Sequence, residues 1–435
     1  MKFLKSTFLT LGTNIVIFSI SILTTLLTAR LLGTAGKGVM SVGNNVISFG
    51  ILIFGVGVEA ASIYYIGKNN ENLNSALGIN AALSAFSILA LSAVYALNLR
   101  FDFKIFQGLD SYILPVVFLA VAAGLLRSGM LNSLLALQDF GRYNKINLLD
   151  KVLTFIFLLV AILLFKSAEA ALASYFFSIV VISAILIWVL RIRYKARPKI
   201  KNNLYLSFFK FGIKGQLGNI ISMLNYRADI FLITYFQDLR AVGIYSVAVA
   251  LGETMWQIPG SISTVIYPMT TNSKDKLGMK FFISKVTRIT LFIVTVGGII
   301  LVLISEPIIV FLMGPDFRES STALIWLIPG ICIFSVSKVL ANYISGLGHI
   351  EKNIIASSTA TVINIILNIS FIPRMGIVGA AFATSISYTA FTVIALYYYM
   401  KYTDIPLRDV LLIKREDFLE VMSAVKGKLS AIGRK

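Results

Sequence analysis

The sequence predicts an all-α, polytopic membrane protein with about twelve transmembrane helices, and three observations support this fold class. Of the 435 residues, 57% are hydrophobic and only 14% are charged. Roughly a dozen apolar stretches follow one another, separated by short polar links. Each stretch has about 20 residues, enough for one helix to span the hydrocarbon core of a bilayer. Finally, the basic residues concentrate in alternate links, as they do in multi-pass proteins.

The apolar segments fall into two groups of six, joined by the most basic link of the chain. We expect an N-terminal six-helix lobe at 1–190, a basic cytoplasmic link at 191–205, a C-terminal six-helix lobe at 206–400 and a cytoplasmic amphipathic tail at 401–435. The predicted helices lie near residues 7–29, 39–67, 74–98, 112–136, 147–165, 169–190, 206–235, 241–268, 284–305, 321–346, 354–372 and 377–400.

The formal net charge of +19 follows the positive-inside rule. Most Lys and Arg residues fall in the N-terminus, the even-numbered links and the tail, which predicts the cytoplasmic membrane with both termini in the cytoplasm. The densest run, from Arg191 to Lys201, is expected to lie on the anionic cytoplasmic leaflet. Membrane lipids are therefore expected partners, whereas nucleic acid is not, because no basic domain stands outside the membrane.

The single Cys332 and the single His349 exclude several chemistries. A disulfide within the chain cannot form, a Cys/His metal cluster is impossible, and a Ser-His-Asp arrangement would need His349, which is expected in a short link. The outer links near 99–111 and 306–320 are too short to hold an extramembrane catalytic domain. We therefore expect no catalytic residue and no metal site.

The chain aligns with itself across the basic link. The matched positions are Asn132 with Asn342 and Leu137 with Leu347 at an offset of 210, and Gly38 with Gly243 at an offset of 205. An even number of helices per repeat gives both copies the same orientation, so the repeat is parallel, around an axis along the membrane normal. Two such bundles leave a cavity between them, which favours a transporter over a duplicated bundle without a pathway.

Glu253 is the sharpest candidate among the charged residues at membrane depth. It lies about 18 Å into predicted helix eight and is followed by Trp256, Gln257 and Pro259, beside an expected kink. A carboxylate at that depth suits a site that binds and releases H⁺ or coordinates Na⁺. The alternative is a structural salt bridge, for instance with Lys214 or Arg227.

Cations on three predicted helices suggest a binding site for an anion. The repeat brings Lys338 to within one position of Arg127, and Lys214 adds a third cation on helix seven. Cations that face a shared cavity attract an anionic substrate, and a guanidinium matches phosphate oxygens. For Lys338, a lipid-facing position is the alternative.

The remaining polar residues in the spans are assigned more loosely. Asp150, Lys151, Lys210 and Arg288 lie near helix ends, where we expect side chains to reach water. Asn364 and Asn368 share a helix face and are expected to form interhelical hydrogen bonds. The candidate substrate-binding residues are Arg127, Lys214, Arg227, Lys338, Trp256, Asn132 and Asn342, and the candidate ion-coupling residues are Glu253, Glu59 and Asp229.

Several segments resemble the polysaccharide repeat-unit (O-antigen type) flippases of the multidrug, oligosaccharidyl-lipid and polysaccharide exporter superfamily. They are Thr28-Ala-Arg30-Leu-Leu-Gly33-Thr-Ala-Gly36-Lys-Gly38, Phe54-Gly-Val-Gly-Val-Glu59 through Ile66-Gly-Lys68, Asn225-Tyr-Arg227-Ala-Asp229-Ile-Phe-Leu-Ile233, and Gly243 to Glu253 through Trp256-Gln-Ile-Pro259. The resemblance covers nearly the whole chain. One departure is Thr34, where proline is common in the family.

This resemblance implies twelve helices in two lobes around a central, often cationic cavity. It implies a substrate as well, an oligosaccharide repeat unit on a polyprenyl diphosphate, moved to the outer leaflet for polysaccharide or lipopolysaccharide biosynthesis. Transport would be driven by ion antiport, with H⁺ or Na⁺ as the only small co-substrate and no other cofactor. Polysaccharide polymerase and glycosyltransferases of the same pathway would be protein partners.

Two alternative functions remain at this point. A small-molecule or drug exporter shares the twelve-helix architecture but not the quoted segments. A membrane glycosyltransferase or polymerase would need a larger extramembrane loop. After Met400, an apolar stripe over Phe418, Val421, Met422, Val425 and Leu429 predicts a basic amphipathic helix on the cytoplasmic leaflet.

Overall fold

The computed structural model describes residues 2–199, 202–273 and 275–417, with the side chains of 2–11, 202–204, 214, 268 and 276 outside that description. Within those ranges the chain is helical and contains no strand, so the predicted fold class is confirmed. The helices are α1 Lys2–Gly55, α2 Val58–Lys68, α3 Leu73–Phe101, α4 Leu114–Ala136, α5 Phe140–Phe165, α6 Ala168–Tyr194, α7 Asn202–Phe236, α8 Leu239–Glu253, α9 Gln257–Asn272, α10 Lys276–Met313, α11 Glu319–Gly346, α12 Ile350–Thr403 and α13 Leu407–Leu411.

Helices α1 and α12 are each 54 residues long and each contains one non-helical glycine. At about 1.5 Å per residue, such a length is more than twice the thickness of a bilayer core, so each makes two crossings. Gly33 has φ 67° and Gly376 has φ 57°, a left-handed backbone that glycine adopts readily. The predicted helix pairs are therefore present, but a single bent residue replaces the loop expected between their members.

The second crossing of each repeat is interrupted. In the first repeat Val56 and Gly57 separate α1 from α2, and both have positive φ. In the second repeat a 3₁₀ turn at Thr254–Trp256 separates α8 from α9. Pro259 lies in the first turn of α9, where its missing N–H is tolerated, and its ring disfavours a helix continuing from α8. The kink expected beside Glu253 is confirmed.

The first crossing is α1 up to Gly33, and the second is the rest of α1 together with α2; α8 and α9 form one crossing, α12 forms two, and each of the other long helices forms one, which gives the predicted twelve crossings. Eight helices in the described part of the chain are long and apolar enough to span a membrane by length and hydropathy alone. These lengths, together with the repeat, establish a multi-pass membrane protein.

The repeat is visible in the turn between the fourth and fifth crossings. The Leu137 N–H donates to the carbonyl four residues earlier at 3.0 Å, and that of Leu347 does the same at 3.0 Å. Asp139 and His349 each donate to the carbonyl five residues earlier, at 3.0 and 3.1 Å. The residue between them has φ 57° in the first repeat and 92° in the second. The same turn thus recurs at the offset of 210 residues found in the sequence.

The chain forms two compact units. Unit 1 contains Met1–Val247 and Phe311–Phe317, and unit 2 contains Ala248–Val310 and Arg318–Lys435. Buried Ile66, Leu134 and Leu186 belong to the core of unit 1, whereas Leu340 and Tyr399 belong to that of unit 2. Helices α7 and α8 begin in unit 1, and α7 packs along α1 and α2.

In unit 2, the chain after α12 folds back onto α10. The Arg288 guanidinium forms an ion pair with Asp417 and also donates to the Asp409 carbonyl at 2.9 Å. Arg288 is 8% exposed and Asp417 is 2% exposed. The expectation that Arg288 reaches water is therefore wrong, because a buried carboxylate from the tail pairs with it. The amphipathic helix predicted over Phe418 to Leu429 lies outside the described residues.

Candidate functional site

Three of the predicted site residues lie close together in unit 2, namely Lys338, Trp256 and Glu253. The Lys338 Nζ lies 4.2 Å from the centroid of the Trp256 ring and 5.3 Å from that of Phe334. Tyr388 stacks on Phe334 with centroids 4.6 Å apart and lies 5.6 Å from the Trp256 centroid. We call Trp256, Phe334 and Tyr388 the aromatic cage. A lysine seated on these rings is held inside the protein by cation–π attraction, which favours an inward-facing Lys338 over a lipid-facing one.

Glu253 completes the charge arrangement of this site. It ends α8, directly before the 3₁₀ turn that carries Trp256, and its carboxylate interacts electrostatically with Lys338. The break in the crossing thus places a carboxylate and an indole on adjacent turns, next to one ammonium. Glu253 thus has a cationic neighbour in Lys338, in addition to the partners considered from the sequence.

Two side chains donate hydrogen bonds to the backbone carbonyl of Lys338 on α11. The Ser263 hydroxyl of α9 donates to the Lys338 carbonyl at 2.7 Å, which ties α9 to α11 at this level. The Asn342 side-chain amide donates to the same carbonyl at 2.9 Å. Asn342, a predicted substrate-binding residue, therefore lies one turn from the ammonium, and its amide N–H supports the backbone that carries the lysine.

Chemically, the site combines an ammonium, a carboxylate and aromatic ring faces in one place. An ammonium attracts phosphate oxygens, although as a point charge without the bidentate geometry of arginine. Aromatic faces pack against apolar surfaces of a ligand, and the indole N–H and phenol O–H donate hydrogen bonds. Such a set suits an amphipathic anion that carries both a charged group and ring-shaped groups.

Arg127, the corresponding cation of the first repeat, lies in unit 1 and is paired. Its guanidinium forms an ion pair with Asp150 of α5, and the two side chains are 17% and 2% exposed. The expectation that Asp150 reaches water is wrong, because the carboxylate is buried against Arg127. Lys151 interacts electrostatically with both partners.

Glu59 lines a cavity in unit 1 at the interruption between α1 and α2. The cavity has a volume of about 220 Å³ and is lined by Ser48, Ile51, Leu52, Gly55, Gly57, Glu59, Ala60, Gln216 and Asn219. Its polar side chains come from two crossings, with Ser48 and Glu59 from the second and Gln216 and Asn219 from α7. Glu59, which the sequence predicts to be either a structural or an ion-coupling residue, therefore lines a cavity together with other side chains that carry oxygen atoms.

The other predicted residues are more dispersed. Asp229 of α7 is 2% exposed and accepts a hydrogen bond from the Tyr245 hydroxyl of α8. Arg227 is half-buried on α7, and its guanidinium lies 3.5 Å from the Tyr226 carbonyl. Asn132 is half-buried on α4. The Lys214 side chain lies outside the described residues. The roles assigned to these residues remain predictions.

Of the two asparagines of the eleventh crossing, Asn364 forms the expected interhelical hydrogen bond. The Asn364 amide donates to the Thr384 hydroxyl at 3.3 Å, across the bend at Gly376. Asn368 donates to the Asn364 side chain at 2.9 Å. This polar ladder joins the two halves of α12, so the interhelical hydrogen bond predicted for Asn364 is confirmed.

Sequence reasoning missed the partners rather than the charged residues. Phe334 and Tyr388 are ordinary apolar-span residues in the sequence, and no local pattern distinguishes them from other aromatic residues. Gln216 and Asn219 do carry a signal, since they follow Gly212 at four and seven residues and so share its helix face. Asp150 falls near the start of the predicted helix at 147–165, so the sequence predicted contact with water rather than the burial that the structure shows.

These features define a multi-pass membrane protein built from two six-helix repeats with buried polar sites. The chain belongs to the polysaccharide biosynthesis protein family, whose model matches residues 3–274, more than half of the chain. A model of the lipid II flippase MurJ matches residues 154–427. The two matches overlap and together run from the first crossing to the tail.

Curated relatives are distant. An uncharacterised membrane protein, MJ1068 of Methanocaldococcus jannaschii, is 25% identical over 76% of this chain and 71% of its own length. The probable flippase AglR of Haloferax volcanii is 26% identical over 44% of this chain and 41% of its own length. Agl15 of the same organism, a probable low-salt glycan biosynthesis flippase, is 23% identical over 48% of this chain and 44% of its own. For both Haloferax proteins the match spans less than half their length.

Solved structures share the fold. The lipid II flippase MurJ in an inward closed conformation superposes with a TM-score of 0.73 at 15% identity, covering 94% of this chain and 89% of that one. An inward-facing multidrug resistance transporter of the MATE family gives 0.70 at 14% identity, covering 90% and 98%. At such identities these likenesses show the architecture alone.

Proposed function

We propose that this protein is a flippase that moves polyprenyl-diphosphate-linked oligosaccharide repeat units across the cytoplasmic membrane, with both termini in the cytoplasm. Movement occurs by alternating access and is coupled to an ion. The observation that carries the proposal is the site around Lys338, where an ammonium, a carboxylate and an aromatic cage converge. Membership of the polysaccharide biosynthesis family and the flippase relatives support the substrate class.

Each part of the proposed substrate has a chemical counterpart in the site. The diphosphate is an anion, and Lys338 is a cation held on aromatic rings in an apolar bilayer. Sugar rings present C–H faces that pack on aromatic side chains, and Trp256 and Tyr388 offer such faces. The polyprenyl chain stays in lipid, so the protein needs to enclose only the polar headgroup.

Glu253 has a defined role in this scheme. Without substrate, its carboxylate neutralises Lys338, so the ammonium is not an uncompensated charge in the membrane. An arriving diphosphate replaces that carboxylate as the counter-ion of Lys338. The released Glu253 is then the group whose charge state a coupling ion can change. Polysaccharide polymerase and glycosyltransferases would act before and after this transport step.

The test is a flipping assay with purified protein in liposomes. A fluorescent lipid-linked oligosaccharide diphosphate is reconstituted in both leaflets, and a membrane-impermeant quencher reports how fast inner-leaflet headgroups appear outside. We expect wild-type protein to accelerate exchange, and K338Q, W256L and E253Q to reduce it at least tenfold. K104Q is the matched control, because exposed Lys104 also lies on an aromatic ring, 5.1 Å from the Tyr235 centroid, outside the site.

A drug exporter of the same architecture predicts a different outcome. Its cells would accumulate less of a lipophilic cation such as ethidium than cells that lack the protein, and K338Q would leave the lipid-linked glycan unaffected. We expect no such efflux, since an ammonium at the centre of the site repels cations. Efflux of ethidium without glycan exchange would overturn the proposed function.

A further inference from the structure

We propose that the interruption of the second crossing forms a binding site for Na⁺ in unit 1, with Glu59 as its charged ligand. The site is the cavity of about 220 Å³ described above, here called the helix-break cavity. This proposal rests on the proposed function only in one respect, namely that the site would hold the ion to which transport is coupled. Binding of Na⁺ itself is a property of this unit and can be measured without any glycan.

The backbone at the break is the first observation. Val56 has φ 45° and Gly57 has φ 71°, so two successive residues are left-handed in the middle of an apolar crossing. A β-branched residue rarely adopts positive φ, because its side chain crowds the backbone. Strain of this kind persists where the surroundings hold it in place, and it clusters at functional sites. In a bilayer, non-helical backbone is tolerated where it lines a cavity within the protein.

A close contact between two helices holds the break in place. A Cβ added to Gly57 would lie 2.3 Å from the Gly212 carbonyl oxygen, and one added to Gly212 would lie 2.6 Å from that of Val56. The two backbones therefore touch, and only glycine fits on either side. This contact sets α7 against the break, and the same face of α7 then carries Gln216 and Asn219 into the cavity.

The polar side chains that line the cavity carry oxygen atoms that could bind a cation. Gln216 is 8% exposed, and its amide nitrogen donates to the Leu52 carbonyl, which leaves its oxygen directed to the other side. The Asn219 amide N–H donates to that oxygen at 3.5 Å. Glu59, Gln216, Asn219 and Ser48 line this one cavity. Tyr143 of α5 lies close enough to interact electrostatically with Glu59.

This ligand set selects for a hard monovalent cation. Carboxylate, amide and hydroxyl oxygens suit alkali and alkaline-earth ions rather than transition metals. One carboxylate balances one positive charge, whereas Ca²⁺ sites in proteins usually contain several carboxylates. In the described part of the chain, no group of three or more His, Cys, Asp or Glu residues could hold a metal ion. The volume leaves room for an ion with a few waters, at about 30 Å³ each.

Thermal unfolding of the purified full-length protein in detergent tests the site. Tm is measured against NaCl concentration, with choline chloride added to hold the ionic strength constant. Because an ion that binds only the folded state stabilises it, we expect Tm to rise by a few degrees by the time the Na⁺ concentration is about a hundredfold above Kd, and to go on rising with the logarithm of that concentration. The expected result is loss of this rise in E59Q and at least a tenfold weaker apparent affinity in N219A.

E71Q is the matched control, because Glu71 is an exposed carboxylate in the 3₁₀ turn that follows α2. It should keep the full response to Na⁺. The proposal is overturned if wild-type Tm does not respond to Na⁺, if KCl produces the same rise over the same concentrations, or if E59Q responds like wild type. A Na⁺ response that depends on Glu59, combined with no glycan exchange in liposomes, would instead contradict the proposed function and leave this site intact.

Discussion

Gly38 lies against Leu239, which begins the helix of Gly243, and Gly243 in turn lies against Thr34, at the start of the helical segment that contains Gly38. A Cβ added to Gly38 would lie 1.9 Å from the Leu239 carbonyl oxygen, and one added to Gly243 would lie 1.9 Å from that of Thr34. The offset of 205 residues that maps Gly38 onto Gly243 also maps Thr34 onto Leu239. The two contacts are therefore exchanged by the internal repeat, like the paired contacts of a two-fold symmetric interface.

The reciprocity predicts that the two glycines are equally intolerant of a side chain. G38A and G243A each place a methyl group against a carbonyl oxygen, and relief requires the two helix starts to move apart. We expect each substitution to lower the free energy of unfolding by about 1–3 kcal/mol, the range for an overpacked contact. Tm of purified protein measures the effect.

G215A provides the control for this pair. Gly215 lies on α7, and nothing occupies the space within 4 Å of its added Cβ. Because alanine favours helix over glycine by about 1 kcal/mol, this variant should be as stable as wild type or more stable. A neutral G38A together with a destabilised G243A would contradict the symmetric contact.

The buried pair of Arg127 and Asp150 predicts strong coupling between two substitutions. R127Q or D150N alone removes one partner of a buried ion pair inside unit 1, and such a loss costs about 3–5 kcal/mol. The double variant removes both charges, so its loss should be clearly smaller than the sum of the single losses. Chemical unfolding of all four proteins gives the double-mutant cycle, and additive losses would show that the two residues act independently.

Docking of the chain after α12 should depend on pH through Asp417. The Arg288 guanidinium donates to this carboxyl and holds its pKa below the usual range, with a smaller contribution from the Lys414 backbone N–H. A depressed pKa stabilises the docked form above the unfolded pKa of about 3.9, and this stabilisation is lost as pH falls through the lower folded pKa. We expect docking to be unchanged from pH 7 to about 5 and to weaken at more acidic pH.

Hydrogen–deuterium exchange of residues 404–417 follows this docking. D417N should exchange rapidly at neutral pH, since Arg288 loses its carboxylate partner. D404N is the control, because Asp404 is exposed at the end of α12. Equal protection of D417N and wild type at pH 7 would contradict the role of the ion pair.

Val56 offers a test of backbone strain that does not depend on any ion. Glycine adopts φ 45° without the steric conflict of a β-branched residue, so V56G should relieve strain of about 1–3 kcal/mol in the native state. Greater freedom of the unfolded chain offsets up to about 1 kcal/mol of that gain. We expect V56G to unfold at the same temperature as wild type or a higher one, whereas a typical valine-to-glycine change inside a helix is destabilising.

Much of the fold could be predicted from the sequence because a bilayer restricts the choices. Apolar stretches of helical length, the bias of Arg and Lys, and the offsets of 205 and 210 residues are all local or periodic signals. The bends at Gly33 and Gly376 are less legible, since a glycine in an apolar run marks a packing contact as often as a change of direction. The left-handed backbone at Val56 was not predicted, because valine is a common residue within a transmembrane helix.

The sites were predictable only in their charged members. A carboxylate or ammonium in an apolar span is conspicuous, so Glu59, Arg127, Glu253 and Lys338 could be selected from the sequence. Their neighbours come from distant crossings, as with Tyr388 beside Lys338. Such partners depend on helix rotation and packing, which hydropathy does not specify. Asp150 shows the cost of judging burial by distance from a helix end, because the chain brings Arg127 to it.

The exchange assay with K338Q tests the central claim most directly. If Lys338 holds the diphosphate of a lipid-linked glycan, wild-type liposomes will exchange the labelled headgroup and K338Q liposomes will do so at least tenfold more slowly, with K104Q unchanged. Equal exchange rates for K338Q and wild type, at equal protein content, would show that the aromatic cage and its lysine do not bind the transported substrate.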